Sequence, residues 1–390
     1  MYKLAFIATG YIVEYDGVSV FIENVVYELL KDPLVKDGLL EIDIYLSQSA
    51  FDLFKERLLP KEQKNIKLIS IKDTNPVFRI SQTQIKVLRK KYDVVFMPNP
   101  MPLFWSRGRR VKVIHDLTIK QTPELFSPKF HKYIDFLIWY MYRFDDAIGY
   151  ISKQTKDDIA NYYEIDVTQT KMLYLPNGIP FKVQNHARPN IEDVYTKYDS
   201  DELELVVVGR INRSKGFDRI IKFLKYFDTK LGKEDRFKSV VLHIVGKQTP
   251  ETAAIFHESH LEHIELDFCG FVDDDKLNSL YKKSHFCFFL SRNEGYGLPL
   301  VESMWLRTIP VLSDIPIFSE ILGDSYPKFN DQRGYEDAIL SFINQIFDDK
   351  NYMHEIFDML EKSVENEKIG YQKSAQNLIS YIKSLAKADI

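Results

Sequence analysis

HFCFFLSRNEGYGLPLVESMWLRTIPVLSD, residues 285–314, decides the fold. An apolar, aromatic run of strand length enters a loop in which Gly295 and Gly297 flank Tyr296. Pro299 then suits the first turn of a helix, and a second apolar run, TIPVLS, follows it. Strand, glycine loop, helix and strand make the repeating unit of a parallel sheet, in which ligands sit outside the carboxyl ends of the strands. The first N–H groups of the helix point back at the loop. Their partial positive charge favours a phosphate or a developing anion by ~0.3–1 kcal/mol when exposed, and the glycines let backbone amides come close to a ligand.

Glu294 precedes this helix and Glu302 lies about one turn inside it, so both carboxylates can face one ligand from different depths. Acceptor-only groups beside a phosphate-binding helix suit sugar hydroxyls, which donate to them. A capping or surface role is the plainer use of either carboxylate. Upstream, LVVVGRINRSKGFDRIIKFL (205–224) ends a strand at Gly209 and sets Arg210 and Lys215 in a short loop before another helix. A guanidinium fork and a mobile ammonium match a diphosphate, and they can stabilise it as a leaving group without a metal.

The same alternation extends outward in both directions. KLAFIA, EIDIYL, NIKLISI, DVVFMP, VKVIH and AIGYIS in the first half, and LELVVVG, SVVLHIVG and IELDFCG in the second, are strand-like runs separated by amphipathic segments. The spacing predicts an α/β protein of two doubly wound, Rossmann-like domains facing a cleft. The polar, aperiodic stretch after residue 181 places a linker at 186–200, between domains at 1–185 and 201–370, with helices only after about residue 333. At 390 residues the chain exceeds the ~250–300 at which a single core stops growing, which agrees with two domains.

In the first half, His115 follows the strand VKVI and so stands at a carboxyl end; a structural histidine is the alternative. Asp116 either orients that ring or caps local backbone, and the pair lacks companion ligands for a metal site. The first turn, ATGYIVEYDGVSVFIENVVYELL (8–30), has Gly10 and Gly17 around a long loop, without the tight G-x-G-x-x-G of a dinucleotide binder, which argues against NAD or FAD.

Composition narrows the classes further. Hydrophobic residues at 45% and charged residues at 28%, with 16 Gly and 16 Pro, exclude a disordered chain and a fibrous repeat. Cys269 and Cys287 lie in apolar runs, which fits a reducing compartment and neither a disulfide framework nor a cysteine zinc site. No apolar stretch approaches ~18 residues and the N-terminus reads as a strand, so the expectation is a cytoplasmic chain. The net charge of −4 and the lack of a recognisable motif disfavour nucleic acid. Residues 1–185 hold 26 Lys+Arg against 22 Asp+Glu, while the remainder hold 26 against 34. The cations of the first half cluster at 86–91 and 107–112, where an anionic surface could dock, although such runs are often solvated faces.

Together, GRINRSKG, HIVG, CGFVDDDKLNSLYKKS and EGYGLPLVES with IPVLSDIPIFSEILGD resemble the donor-binding domain of the retaining glycosyltransferases of family four, which have the GT-B fold. IHDLTIKQTPELFSP, ISKQTKDDI and LPNGI resemble that family's N-terminal domain, above all in its mannosyl- and rhamnosyltransferase-like members. The resemblance is collinear over nearly the whole chain. It implies that Arg210 and Lys215 hold a donor diphosphate, with Gly17 approaching it from the first domain. Glu302 would take the ribose hydroxyls, and Phe271 and Val272 would lie at the base. Glu294 and the backbone of Gly295, Tyr296, Gly297 and Leu298 would address the transferred sugar and its phosphates. His115 would contact the donor sugar and steady positive character at the anomeric carbon.

The resemblance further implies retention of anomeric configuration by front-face attack, with no cofactor or metal, the nucleotide-sugar being a substrate. GDP-mannose is the first donor expected, and a glycan or lipid-linked acceptor would be met by the basic first domain, with peripheral contact at the inner face of the cytoplasmic membrane. The closing helix, 371–390, would cross back to the first domain. A nucleotide-sugar 2-epimerase and a non-catalytic nucleotide- or glycan-binding protein are the alternatives, the first needing further acid/base groups in both domains.

Overall fold

The computed structural model describes residues 1–12, 16–59, 63–168, 171–231, 236–247, 256, 260–331 and 333–388. The chain divides into two units, Met1–Phe181 with Ile369–Ile390, and Lys182–Lys368. In the first, β1 (Tyr2–Ala8), β2 (Leu40–Ser47), β3 (Ile66–Ile71), β4 (Val94–Met97), β5 (Arg109–Ile114), β6 (Ala147–Tyr150) and β7 (Met172–Tyr174) form one sheet. Its strands pair in parallel in the order β3-β2-β1-β4-β5-β6-β7. The order reverses between β1 and β4, which puts a crevice outside their carboxyl ends.

The second unit repeats the plan with β8 (Glu202–Val208), β9 (Ser239–Val245), β10 (Glu265–Gly270), β11 (Phe286–Phe289), β12 (Ile309–Ser313) and β13 (Lys328–Phe329), parallel in the order β10-β9-β8-β11-β12-β13. Here the reversal falls between β8 and β11. Central strands covered on both faces lose the alternation of a half-exposed sheet, and β4, β11 and β12 are buried along their whole length. Each large apolar side chain so enclosed contributes about 1.5–3 kcal/mol. The helix Phe217–Leu231 buries Phe217, Ile220, Ile221, Leu224 and Phe227, a stripe at three- and four-residue spacing that clamps it to the sheet.

The unit boundary falls at Phe181 and Lys182, four residues before the expected end of the first domain. The stretch expected as linker contains the helix Ile191–Lys197, capped by Asn190, whose side chain accepts from the Glu192 N–H at 3.0 Å. Only Val194 and the following Tyr198 are buried there, too few to make a readable period. The helix Gly370–Ala388 belongs to the first unit. Ser374 Oγ donates to the Pro176 carbonyl at 2.5 Å and Asn377 Nδ2 to the Tyr174 carbonyl at 2.9 Å. A Cβ on Gly370 would stand 1.9 Å from the Asn177 carbonyl oxygen, so only glycine lets the helix start so close to that loop.

The basic run 107–112 is largely spoken for within the fold. Arg109 pairs with Asp146 at 2.8 Å, while Arg110 and the fully buried Lys112 share Asp145 at 2.7 and 3.0 Å. In the other run, Lys90 pairs with Asp43 at 2.5 Å and Lys86 donates to the Ser70 carbonyl at 2.7 Å. No helix among the described residues is long and apolar enough to cross a membrane.

Candidate functional site

The loops after β8 and β11 meet at the reversal of strand order in the second unit. Asn212 accepts from the Lys215 N–H at 3.0 Å and shapes a single 3-10 turn, Arg213–Lys215, which ends on Gly216 at φ +71°. The Arg292 N–H donates to the Ser214 carbonyl at 2.9 Å, joining the two loops by backbone. The Arg292 guanidinium forks onto both oxygens of Asp218 at 2.6 Å and reaches the Arg213 carbonyl at 2.6 Å. Burial opposes ionisation of Asp218, but the fork outweighs it and holds the carboxyl below its usual range. Sequence reasoning passed over Arg292 and Asp218 because 74 residues separate them and only the sheet order brings them together.

This clamp supports the two groups singled out from sequence. Lys215 Nζ lies 2.6 Å from Glu294 Oε2, and Ser291 Oγ donates to Glu294 Oε1 at 2.9 Å. A cavity of about 40 Å³ opens beside them, lined by Gly209, Lys215, Phe289, Ser291, Glu294 and Pro299 among others. Arg210 stands exposed on the same loop, with no ion pair among the described residues. Beyond Glu294, the Tyr296 side chain is buried and its hydroxyl donates to Glu367, which leaves the backbone of that loop as the part a ligand would meet. Gly297, at φ +94°, begins the helix Leu298–Trp305, and no side chain caps that start.

Glu302 accepts from the Tyr281 hydroxyl at 3.2 Å. It is half-buried as a residue, yet the dense surroundings of its carboxyl push its pKa up to about 7 by desolvation, which the Tyr281 bond only partly offsets. At the end of β10, Gly270 at φ +65° turns the chain so that Phe271 projects 76% exposed, with Val272 half-buried beside it. An aromatic ring left in water at a strand's carboxyl end can stack on a planar ligand. One group of three metal-ligand types occurs among the described residues, His243, Asp267 and Cys269. There His243 already bridges Asp267 at 2.7 Å and Glu204 at 2.6 Å.

His115 and Gly17 lie in the first unit. His115 follows β5, and its Nε2 is 2.6 Å from the Pro98 carbonyl, just past β4 and therefore at that sheet's own reversal point. A carbonyl only accepts, so Nε2 carries the proton. Burial holds the imidazole pKa below its ordinary value, the ring is neutral at pH 7, and Nδ1 is left as an acceptor. Such a ring can receive a hydroxyl proton in a hydrogen bond and is a poor acid. Phe21 of the helix Gly17–Lys31 packs edge-on against it at 5.0 Å. Asp116 accepts from the Thr118 N–H at 2.9 Å and so caps its own turn. Gly17 opens its helix behind Asp16, whose side chain accepts from the Ser19 N–H at 2.7 Å; residues 13–15 of that first loop lie outside the described residues.

Comparison with known proteins agrees with this fold. Residues 190–363 match the family described as Glycosyl transferases group 1. The serotype-specific mannosyltransferase WbdA of Escherichia coli is 26% identical over 186 residues, 47% of this chain and 23% of WbdA. The O-antigen chain mannosyltransferase RfbU of Salmonella typhimurium is 25% identical over 234 residues, 58% of each protein. The chain thus spans less than two thirds of either relative's length. Among solved structures, that of Anabaena Alr3699/HepE in complex with UDP-glucose superposes with a TM-score of 0.70 over 98% of this chain and 100% of that one, at 14% identity, a likeness of fold. Residues 190–363, most of the second unit, thus resemble the group 1 glycosyl transferases, and the two parallel, doubly wound sheets give the chain the GT-B fold.

Proposed function

We propose that the protein is a retaining, metal-independent hexosyltransferase, taking mannose from GDP-mannose first among donors. The acceptor is a glycan or a lipid-linked glycan in bacterial surface polysaccharide synthesis, met at the inner face of the cytoplasmic membrane. The observation that carries this reading is the Lys215–Glu294 pair beside exposed Arg210, at the strand-order reversal of the second unit. A diphosphate entering there meets an ammonium and a guanidinium, which neutralise the charge that grows as the C1–O bond to phosphate breaks. Glu294, relieved of Lys215, accepts a sugar hydroxyl. The acceptor oxygen bonds to C1 on the face the diphosphate leaves, and its proton passes to a departing phosphate oxygen, so no protein nucleophile is consumed. His115 Nδ1 is an acceptor for a sugar hydroxyl that reaches the strand-order reversal of the first unit. The two relatives are named as mannosyltransferases, which supports sugar transfer and mannose and does not favour an epimerase.

Calorimetric titration with GDP-mannose, UDP-glucose, a dTDP-hexose and an ADP-sugar, without added metal, tests the reading. GDP-mannose is expected to bind at least tenfold more tightly than the rest. Failure of all four to bind would remove the donor site, and conversion of donor to its 2-epimer without acceptor would replace transfer by epimerisation.

Glu302 gives this binding a pH dependence. Its pKa of about 7 lies above the ~4.3 of an ordinary glutamate, so the folded protein keeps a proton that the unfolded chain has lost between those values. Glu302 thus weakens the fold as pH rises through that window, and above pH 7 the penalty is constant. Ribose hydroxyls donate to the ionised form, so donor affinity is expected to rise severalfold between pH 6 and pH 8. Glu302→Gln should flatten that rise; a wild-type pH profile in the variant would remove Glu302 from the ribose.

A further inference from the structure

The helix Pro128–Phe144 is held to the first unit by one stripe, with Leu137, Ile138 and Met141 buried and Ile134 packed beside them. The opposite side of a surface helix is ordinarily polar. Here Phe136 and Trp139, 48% and 53% exposed, stand on that opposite side, and Tyr133 and Tyr142, 42% and 45% exposed, flank it. Its rings join those around them. Phe136 lies 6.0 Å from Trp139 and 6.2 Å from Phe104, which lies 5.9 Å from Trp105, itself 64% exposed. A cavity of about 560 Å³ opens between Phe104, Trp105, Phe136, Tyr140 and Phe144.

Exposed cations lie among these rings. Lys129, Lys132 and Arg143 share the outward side. The helix has one acid, Asp135, and it is engaged by Lys120 at 2.7 Å and by the Tyr163 hydroxyl at 2.8 Å. Aromatic side chains with a polar edge favour the boundary between water and lipid, and a helix with large apolar and basic groups on one side lies in that plane. The cores of protein interfaces are instead depleted in lysine, whereas Lys129 and Lys132 stand within this patch. Its positive charge complements an anionic surface.

We propose that the outward face of the helix Pro128–Phe144, extended by Trp105, docks on the headgroup region of an anionic phospholipid bilayer. This moves the contact from the basic run 107–112, which the fold largely neutralises, to an aromatic face. It deepens the membrane part of the reading above and rests on it only for its purpose. Vesicle binding is measured without donor, and donor affinity on the same samples, so either can fail alone.

The full-length protein is sedimented with large vesicles of equal parts phosphatidylglycerol and phosphatidylcholine, and with vesicles of phosphatidylcholine alone. Wild type should pellet with the anionic vesicles and at least tenfold less with the neutral ones. Phe136→Ser with Trp139→Ser should lower the partition coefficient at least tenfold, and Lys129→Glu with Lys132→Glu should remove the preference for anionic lipid. All four side chains are exposed, so unchanged melting of the variants is expected and reports that the fold is intact. Wild type that stays in the supernatant would overturn the proposal. So would variants that pellet as wild type does, or a wild-type dimer that the serine pair dissociates without vesicles having bound.

Discussion

Replacing Arg210 and Lys215 together by alanine is expected to weaken donor binding by about 10²–10⁴-fold. Each cation makes charge-assisted hydrogen bonds of about 1.5–3 kcal/mol to a diphosphate, and ~1.4 kcal/mol is a factor of ten. The loop survives the change. Its turn is shaped by Asn212 and tied down by the Arg292 backbone, neither of which uses the two side chains removed. Glu294 keeps its bond from Ser291, so the carboxylate stays in place but without its cation. Arg210→Lys should recover only part of the loss, since a point charge does not reproduce a planar fork. Calorimetry with GDP-mannose, beside a circular dichroism spectrum to confirm folding, reads the outcome. Wild-type affinity in the double variant would place the diphosphate elsewhere.

Gly216→Ala should be among the most destabilising small substitutions in the second unit. At φ +71° a Cβ costs about 1–2 kcal/mol, and this Cβ would lie 1.8 Å from the Leu290 carbonyl oxygen, a backbone atom that no rotamer change can remove. The loops after β8 and β11 must then separate, which breaks the Arg292–Ser214 bond and pulls Lys215 from Glu294. We expect a loss of about 3 kcal/mol or more, a fall in the melting temperature of roughly 6–12 °C for a domain of this size. Gly334→Ala is the control, for it imposes a similar conformation at φ +89° with nothing within 4 Å of the new Cβ. Equal melting of the two variants would show that loop contact at Gly216 does not matter to stability.

Much of the fold was legible because the buried strands are unbroken apolar runs and because glycines and cations punctuate their carboxyl ends. LVVVG and HFCFFLS could each be read from the residues alone as strands with a glycine loop at the carboxyl end, and Lys215 and Glu294 prove to touch. The helix Ile191–Lys197 was not legible, since it buries only Val194, and Tyr198 just after it packs against distant partners such as His285 and Phe357. Nor was the state of the basic run 107–112. A run of cations reads as an open surface until the end of the helix Pro128–Phe144 delivers Asp145 and Asp146 to it. The aromatic face of that helix escaped notice for the converse reason, because rings at three-residue spacing look like core until the packing shows which side is covered.

By itself the sequence determined the fold class, the two-sheet plan and the loops that form the candidate site. Those depend on local periodicity and on residues within a turn of one another. Tertiary structure alone decided which strands are neighbours, that Arg292 braces Asp218 across the strand reversal, that Glu302 titrates near 7, and that His115 spends its Nε2 proton on Pro98. These are properties of groups far apart in the chain whose desolvation and partners exist only once the sheets have formed, since neither burial nor a hydrogen bond across 74 residues has any local signature.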